Sequence, residues 1–213
     1  MLTFKPDLPA DGIVLCLGAH CDDIEIGCGG ALMTLHARYP GLRFYWHVFS
    51  GEDGRDQETR TAAARLLGSQ CSVTVDQFRA SYFPYTGAQL KDAFEVIKSQ
   101  VRPDLIFTHF LQDRHQDHRL IAELTWNAFR NHAVLEYEIP KFEGDLAHPN
   151  VYFQLPRPTV DRKIEVLMEC FPSQRARQWF DRDLFLGHMR LRGVECNSES
   201  RFAEAFHVRK LAL

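Results

Sequence analysis

No apolar run in the 213-residue chain approaches the roughly 18–20 residues that span a bilayer. The N-terminal stretch carries acidic residues and two prolines where a secretion signal needs apolar ones. A cytoplasmic protein with no membrane span is therefore expected. Charge of one sign is also scarce: 25 Lys and Arg stand against 28 Asp and Glu, interspersed without long runs. The formal net charge of -3 gives no electrostatic case for nucleic acid or an anionic membrane. None of the six cysteines forms a Cys-x-x-Cys pair. A chain this large without a secretion signal has little need of disulfides, so all six are expected reduced. Internal repeats, low-complexity tracts and linkers are lacking too. One domain over residues 1–213 is the simplest organisation, long enough to bury a full core.

What is present is an alternation of strand and helix patterns. Residues 12–18 (GIVLCLG) form a short continuous apolar run, as in a strand buried on both faces. A helix is predicted over 29–38, an aromatic-rich strand over 43–49, an alanine-rich helix over 58–67 and a strand over 72–75. Leu90, Phe94, Ile97 and Val101 make a helical stripe that Pro103 ends, before a buried strand over 104–109. The second half is less regular. It predicts a helix over 117–131, a strand over 134–139, a loop over 141–158 that includes a strand at 151–155, and helices over 160–170 and 174–192. Alternation at this interval implies parallel βαβ units, hence a Rossmann-like α/β domain with a mostly parallel sheet and helices on both faces. Sites in such sheets lie beyond the carboxyl ends of the strands.

Two segments directly follow predicted strands. One is Ala19-His20-Cys21-Asp22-Asp23-Ile24-Glu25, then Gly27-Cys28-Gly29-Gly30; the other is Asp113-Arg114-His115-Gln116-Asp117-His118. Parallel strands bring both to one sheet edge, although about ninety residues separate them. Imidazole with carboxylate suits Zn²⁺, and a catalytic zinc needs three protein ligands and an open position. His20, one aspartate of the pair and one histidine of the second segment meet that count. The other aspartate is then free to act as general base, and the second histidine as general acid or carbonyl polariser. Taken singly, each segment also suits a helix start with a capping aspartate. The glycines after the first strand do not give the Gly-x-Gly-x-x-Gly pattern, which argues against a nucleotide-binding protein.

These residues resemble the PIG-L/LmbE-like zinc-dependent N-deacetylases. That family is marked by Ala-His-Pro-Asp-Asp-Glu near the N-terminus, then Gly-Gly, and a later His-Pro-Asp-His. Arg55-x-x-Glu58, Lys163, Ser173-Gln174 and 203–206 (AEAF) also look like family markers. The resemblance implies His20, Asp23 and His118 as zinc ligands and Asp22 as general base. It implies His115 as general acid or oxyanion stabiliser, Asp117 as the orienter of a neighbouring histidine, and Arg55 as a substrate-binding residue. The implied substrate is a small-molecule N-acetylated sugar or glycoconjugate, hydrolysed to acetate and a free amine, and the resemblance favours a homo-oligomer. Cys21 and Gln116 replace the usual prolines, loosening both loops without removing a ligand. The rival readings are a zinc amidohydrolase acting on a non-sugar amide and a non-catalytic Rossmann-like binding protein.

Overall fold

The apolar run near the N-terminus becomes β1 (Ile13–His20), central in the sheet of a computed structural model that describes residues 5–211. The first four residues of the stretch read as lacking a secretion signal lie outside the described residues. From β1 the chain passes through α1 (Asp23–Arg38), β2 (Arg43–Ser50), α2 (Arg55–Leu67) and β3 (Cys71–Val75). It continues with α3 (Gly87–Gln100), β4 (Leu105–His109), α4 (Gln116–Ala128) and β5 (Ala133–Tyr137). The final elements are β6 (Val151–Gln154), α5 (Arg157–Cys170), α6 (Arg182–Glu195) and β7 (Ala203–His207). The seven strands lie in the order β3-β2-β1-β4-β5-β7-β6. The first five are parallel; β7 runs antiparallel to β5 and β6.

Side chains alternate across β1. Val14 and Cys16 join a core with residues of α1, α2 and α5; Leu15 and Leu17 join another with residues of α3 and α4. Both faces of the sheet are thus covered, as expected for buried parallel strands. The chain leaves β1 towards β2 and β3 on one side and returns to β4 and β5 on the other. The direction of winding reverses between β1 and β4, and the crevice beyond their carboxyl ends is where such sheets place sites.

Three elements depart from the pattern read in the sequence. α1 begins at Asp23, six residues ahead of the predicted start, with Asp23 and Glu25 in its first turn where the helix dipole favours acids. The helix predicted over 174–192 is instead a short 3-10 turn at Pro172–Gln174, an irregular stretch and α6. Asp181 starts α6 by accepting hydrogen bonds from the amides of Asp183 and Leu184. β7 was noticed in the sequence only as a family marker, and it forms the antiparallel strand that ties β6 to β5.

Candidate metal centre

His20 ends β1, and the chain turns sharply into α1. Asp22 makes that turn with φ at 108°, a left-handed conformation that costs a non-glycine residue strain. Asp23 then enters the first turn of α1, and its Oδ2 accepts from the His20 amide at 2.7 Å. Across the crevice, His115 caps α4: its Nδ1 accepts from the Asp117 amide at 3.2 Å. Asp117 and His118 follow in the first turn of α4.

This brings His20, Asp23 and His118 together. His20 Nδ1 lies 3.2 Å from His118 Nε2 and 3.4 Å from Asp23 Oδ2, and His118 Nε2 lies 3.5 Å from Asp23 Oδ1. Metal–ligand bonds of about 2.0–2.1 Å at tetrahedral angles place ligand atoms roughly 3.3–3.4 Å apart, and the two contacts of His20 match that spacing, while Asp23 reaches the two histidines through different oxygens. The outer nitrogens are also accounted for. His20 Nε2 is 3.0 Å from Asp117 Oδ2, and His118 Nδ1 is 3.0 Å from Asp113 Oδ2. A carboxylate behind each imidazole fixes its orientation and raises its basicity.

His109 and Asp113 belong to the cluster although the sequence reading gave neither a role. His109, at the end of β4, is fully buried and stacks on His118 with ring centroids 4.0 Å apart. Its Nε2 lies 3.2 Å from Asp23 Oδ2, and two sets of side chains stand close enough to share a metal ion: Asp23 with His109 and His118, and His20 with His115 and His118. The His109 Nε2 already accepts from the Ala19 amide at 2.9 Å, which makes His109 a brace for the end of β1. The strand-end rule was the signal that could have found it. Asp113 is in turn held by Lys141 Nζ at 3.0 Å.

The electrostatics sort these groups. Burial works against the His20 cation, but hydrogen bonds to Asp117 and Asp23 outweigh it and carry its pKa up to about 10. A metal ion competes with that proton for the same lone pair. Burial, with His109 alongside, takes His118 down to about 3 and keeps it neutral. Burial opposes the Asp23 carboxylate too, yet His118, His109 and His20 hold it well below the usual range. Asp22 goes the other way. Burial pushes it up to about 7, with Arg55 pulling against the shift and Asp23 adding to it. Burial and the charge on His20 lower the pKa of His115, which favours its neutral form.

Arg55 and Cys21 complete the loop. An Arg55 terminal nitrogen lies 3.1 Å from Asp22 Oδ2, and the same nitrogen donates to the Cys21 carbonyl. Cys21 is buried with Sγ towards the Ser50 carbonyl, 3.5 Å away, and burial pushes its thiol up to about 12. All six cysteines are free thiols. Of the residues singled out in the sequence, His20, Asp22, Asp23, Arg55, His115, Asp117 and His118 all converge on the crevice between β1 and β4.

Fold and site together define an α/β protein with a His/Asp donor set, suited to a divalent metal, at the switch point of its sheet. The GlcNAc-PI de-N-acetylase (PIG-L) family profile matches residues 15–129, and the chain belongs to that family of hydrolytic deacetylases. It is 33% identical over 143 residues to the uncharacterized deacetylase YaiS of Escherichia coli (strain K12), a match covering 60% of this chain and 74% of that protein. The fold is similar to that of N,N'-diacetylchitobiose deacetylase from Pyrococcus horikoshii, with a TM-score of 0.74, 19% identity, and 92% and 83% of the two chains covered. It is also similar to that of GalB, the 4-carboxy-2-hydroxymuconate hydratase of Pseudomonas putida KT2440, with a TM-score of 0.71, 20% identity, and 95% and 98% covered.

Proposed function

We propose that the protein is a zinc-dependent N-deacetylase that hydrolyses the acetamide of an amino-sugar-containing small molecule or glycoconjugate. The observation that carries this reading is the close approach of His20, Asp23 and His118, with Asp22 and His115 beside them. Family membership supports the deacetylation, and the mixed imidazole and carboxylate donors support zinc. The Pyrococcus neighbour, named for an acetylated disaccharide, supports a sugar substrate.

Zinc, when bound, supplies a Lewis acid that polarises the acetamide carbonyl and acidifies water. Asp22 accepts the proton of the attacking water, and a pKa near 7 suits a base working at neutral pH. Arg55 holds Asp22 in place and binds substrate through the N–H groups that Asp22 and Cys21 leave free. The His115 Nδ1 accepts from the Asp117 amide, so a neutral ring carries its proton on Nε2. That N–H is a donor for the tetrahedral oxyanion. When the C–N bond breaks, the proton held by Asp22 passes to the departing nitrogen, giving a free amine and acetate. Asp117 keeps His20 turned so that Nδ1 faces the other donors.

The test is acetate release by zinc-loaded protein from N-acetylglucosamine, N,N'-diacetylchitobiose and simple non-sugar acetamides. Sugars are expected to be turned over far faster than the non-sugar amides. Equal rates would favour a general amidohydrolase, and no release from any of them would remove the reading.

A further inference from the structure

The segment that follows β5 reads in the sequence as a loop, yet it is fastened to the second histidine motif at two points. Residues 141–144 (KFEG) make a tight turn. The Gly144 amide donates to the Lys141 carbonyl at 3.4 Å, and Gly144 takes φ 59°, a left-handed conformation that glycine adopts readily. The turn carries Asp145 back onto Lys141, whose Nζ lies 2.7 and 2.8 Å from the two carboxylate oxygens. Asp145 Oδ2 also accepts from the Arg114 amide at 2.7 Å, and Lys141 Nζ reaches Asp113 Oδ2 at 3.0 Å.

Asp113 serves both histidines of that motif. Its Oδ1 accepts from the His115 amide at 2.7 Å. Its Oδ2, the oxygen that meets Lys141, also faces His118 Nδ1 at 3.0 Å. An ammonium has three protons, and Asp113, Asp145 and the Ile139 carbonyl at 3.3 Å take them. With its side chain 9% exposed, Lys141 is a fixture and not a free cation for substrate. Two aspartates face its single charge, so it adds little repulsion towards a metal dication.

His118 belongs to both sets of side chains close enough to share a metal ion, so the orientation of its ring matters to either arrangement. A carboxylate that accepts from Nδ1 leaves the Nε2 lone pair for the metal. We propose that Lys141 is a positioning residue of the metal centre, which holds Asp113 against His118 and so keeps Nε2 of that ring turned to the ion. This role rests on the metal site of the reading above and not on what the substrate is.

The test is the zinc affinity of the full chain, measured by competition with a chromogenic chelator near neutral pH. Lys141→Met removes the ammonium and keeps most of the side chain's length. It should weaken zinc binding roughly tenfold, the lower end of the range for a residue behind a metal ligand. The Asp113→Ala/Lys141→Met double variant then decides. If Lys141 acts through Asp113, its loss costs almost nothing further once Asp113 is alanine. Losses that multiply in the double variant, or an unchanged affinity in Lys141→Met, would overturn the proposal. Circular dichroism of the metal-free protein checks folding, and Lys141→Gln takes the same place in the cycle if Lys141→Met does not fold. Acetate release separates this role from the reaction. Zinc losses that do not multiply, in a protein that hydrolyses no acetamide, keep Lys141 in its role and discard the deacetylase; an unaltered chain that binds no zinc discards both.

Discussion

At Asp22 three constraints meet: a left-handed backbone, a buried carboxylate and an arginine at 3.1 Å. Asparagine also tolerates that backbone conformation, so Asp22→Asn should fold and keep its metal. It cannot accept a proton, and turnover should fall by roughly 10²–10⁴-fold. Metal analysis beside acetate release checks both halves, and near-normal turnover would remove Asp22 as the base. His115→Ala should likewise retain metal and lose turnover. His20→Ala, Asp23→Ala and His118→Ala should each strip the metal. Asp113→Ala should instead weaken metal binding by about 10–100-fold, because it only frees the outer nitrogen of His118. Full metal occupancy in all three ligand variants would sink the assignment. Most of these residues were legible in the sequence because two short motifs directly follow strands. His109 and Asp113 were not, since their parts depend on which ring each one meets across the crevice.

At the scale of elements, α1 carries Asp23 and is clamped from behind. The amides of Gly30 and Ala31 donate to the Glu204 carboxylate of β7 at 2.8 and 2.6 Å. Lys163 of α5 joins Glu204 to the Ile26 carbonyl, with both bonds at 2.6 Å and the ion pair buried. Gly27 lets the helix approach β5: a Cβ there would lie 2.2 Å from a ring carbon of Tyr137. Gly27→Ala should therefore cost about 1–3 kcal/mol of overpacking. At roughly 2–4 °C per kcal/mol for a chain of this size, melting should drop by about 2–12 °C, which calorimetry can read. An unchanged melting temperature would mean that the ring moves aside freely. The alternating first half of the sheet was readable because buried parallel strands are continuous apolar runs. α6 was misjudged because helical periodicity runs on through residues that Asp181 cuts off as a cap. β7 escaped because AEAF puts a buried glutamate in a strand, and Lys163 and the α1 amides that satisfy it lie far away in sequence.

For the whole molecule, acid should act at a second buried carboxylate. Glu138 follows β5 and meets Arg192 at 2.6 Å, the Ala147 amide at 2.8 Å and His207 at 3.3 Å, with His188 at 3.7 Å. Burial opposes its charge, but the two histidines, the amide and Arg192 hold it well below the usual carboxylate range. A lowered folded pKa stabilises the fold above the unfolded value of about 4.3, and the contribution is lost as pH falls further. The melting gap between wild type and Glu138→Gln should therefore be wide at about pH 5.5 and narrow towards about pH 3. A constant gap across that range would show that Glu138 stabilises by shape rather than charge.

The clamp on α1 also sets an order of assembly during translation. The helix that bears Asp23 leaves the ribosome well before the carboxylate that anchors its amides, which lies 174 residues further on. Domains form as units while synthesis proceeds at several residues per second, so this helix waits until β7 has been made. Nascent chains arrested before β7 has emerged should leave α1 open to protease, and release of that strand should close it.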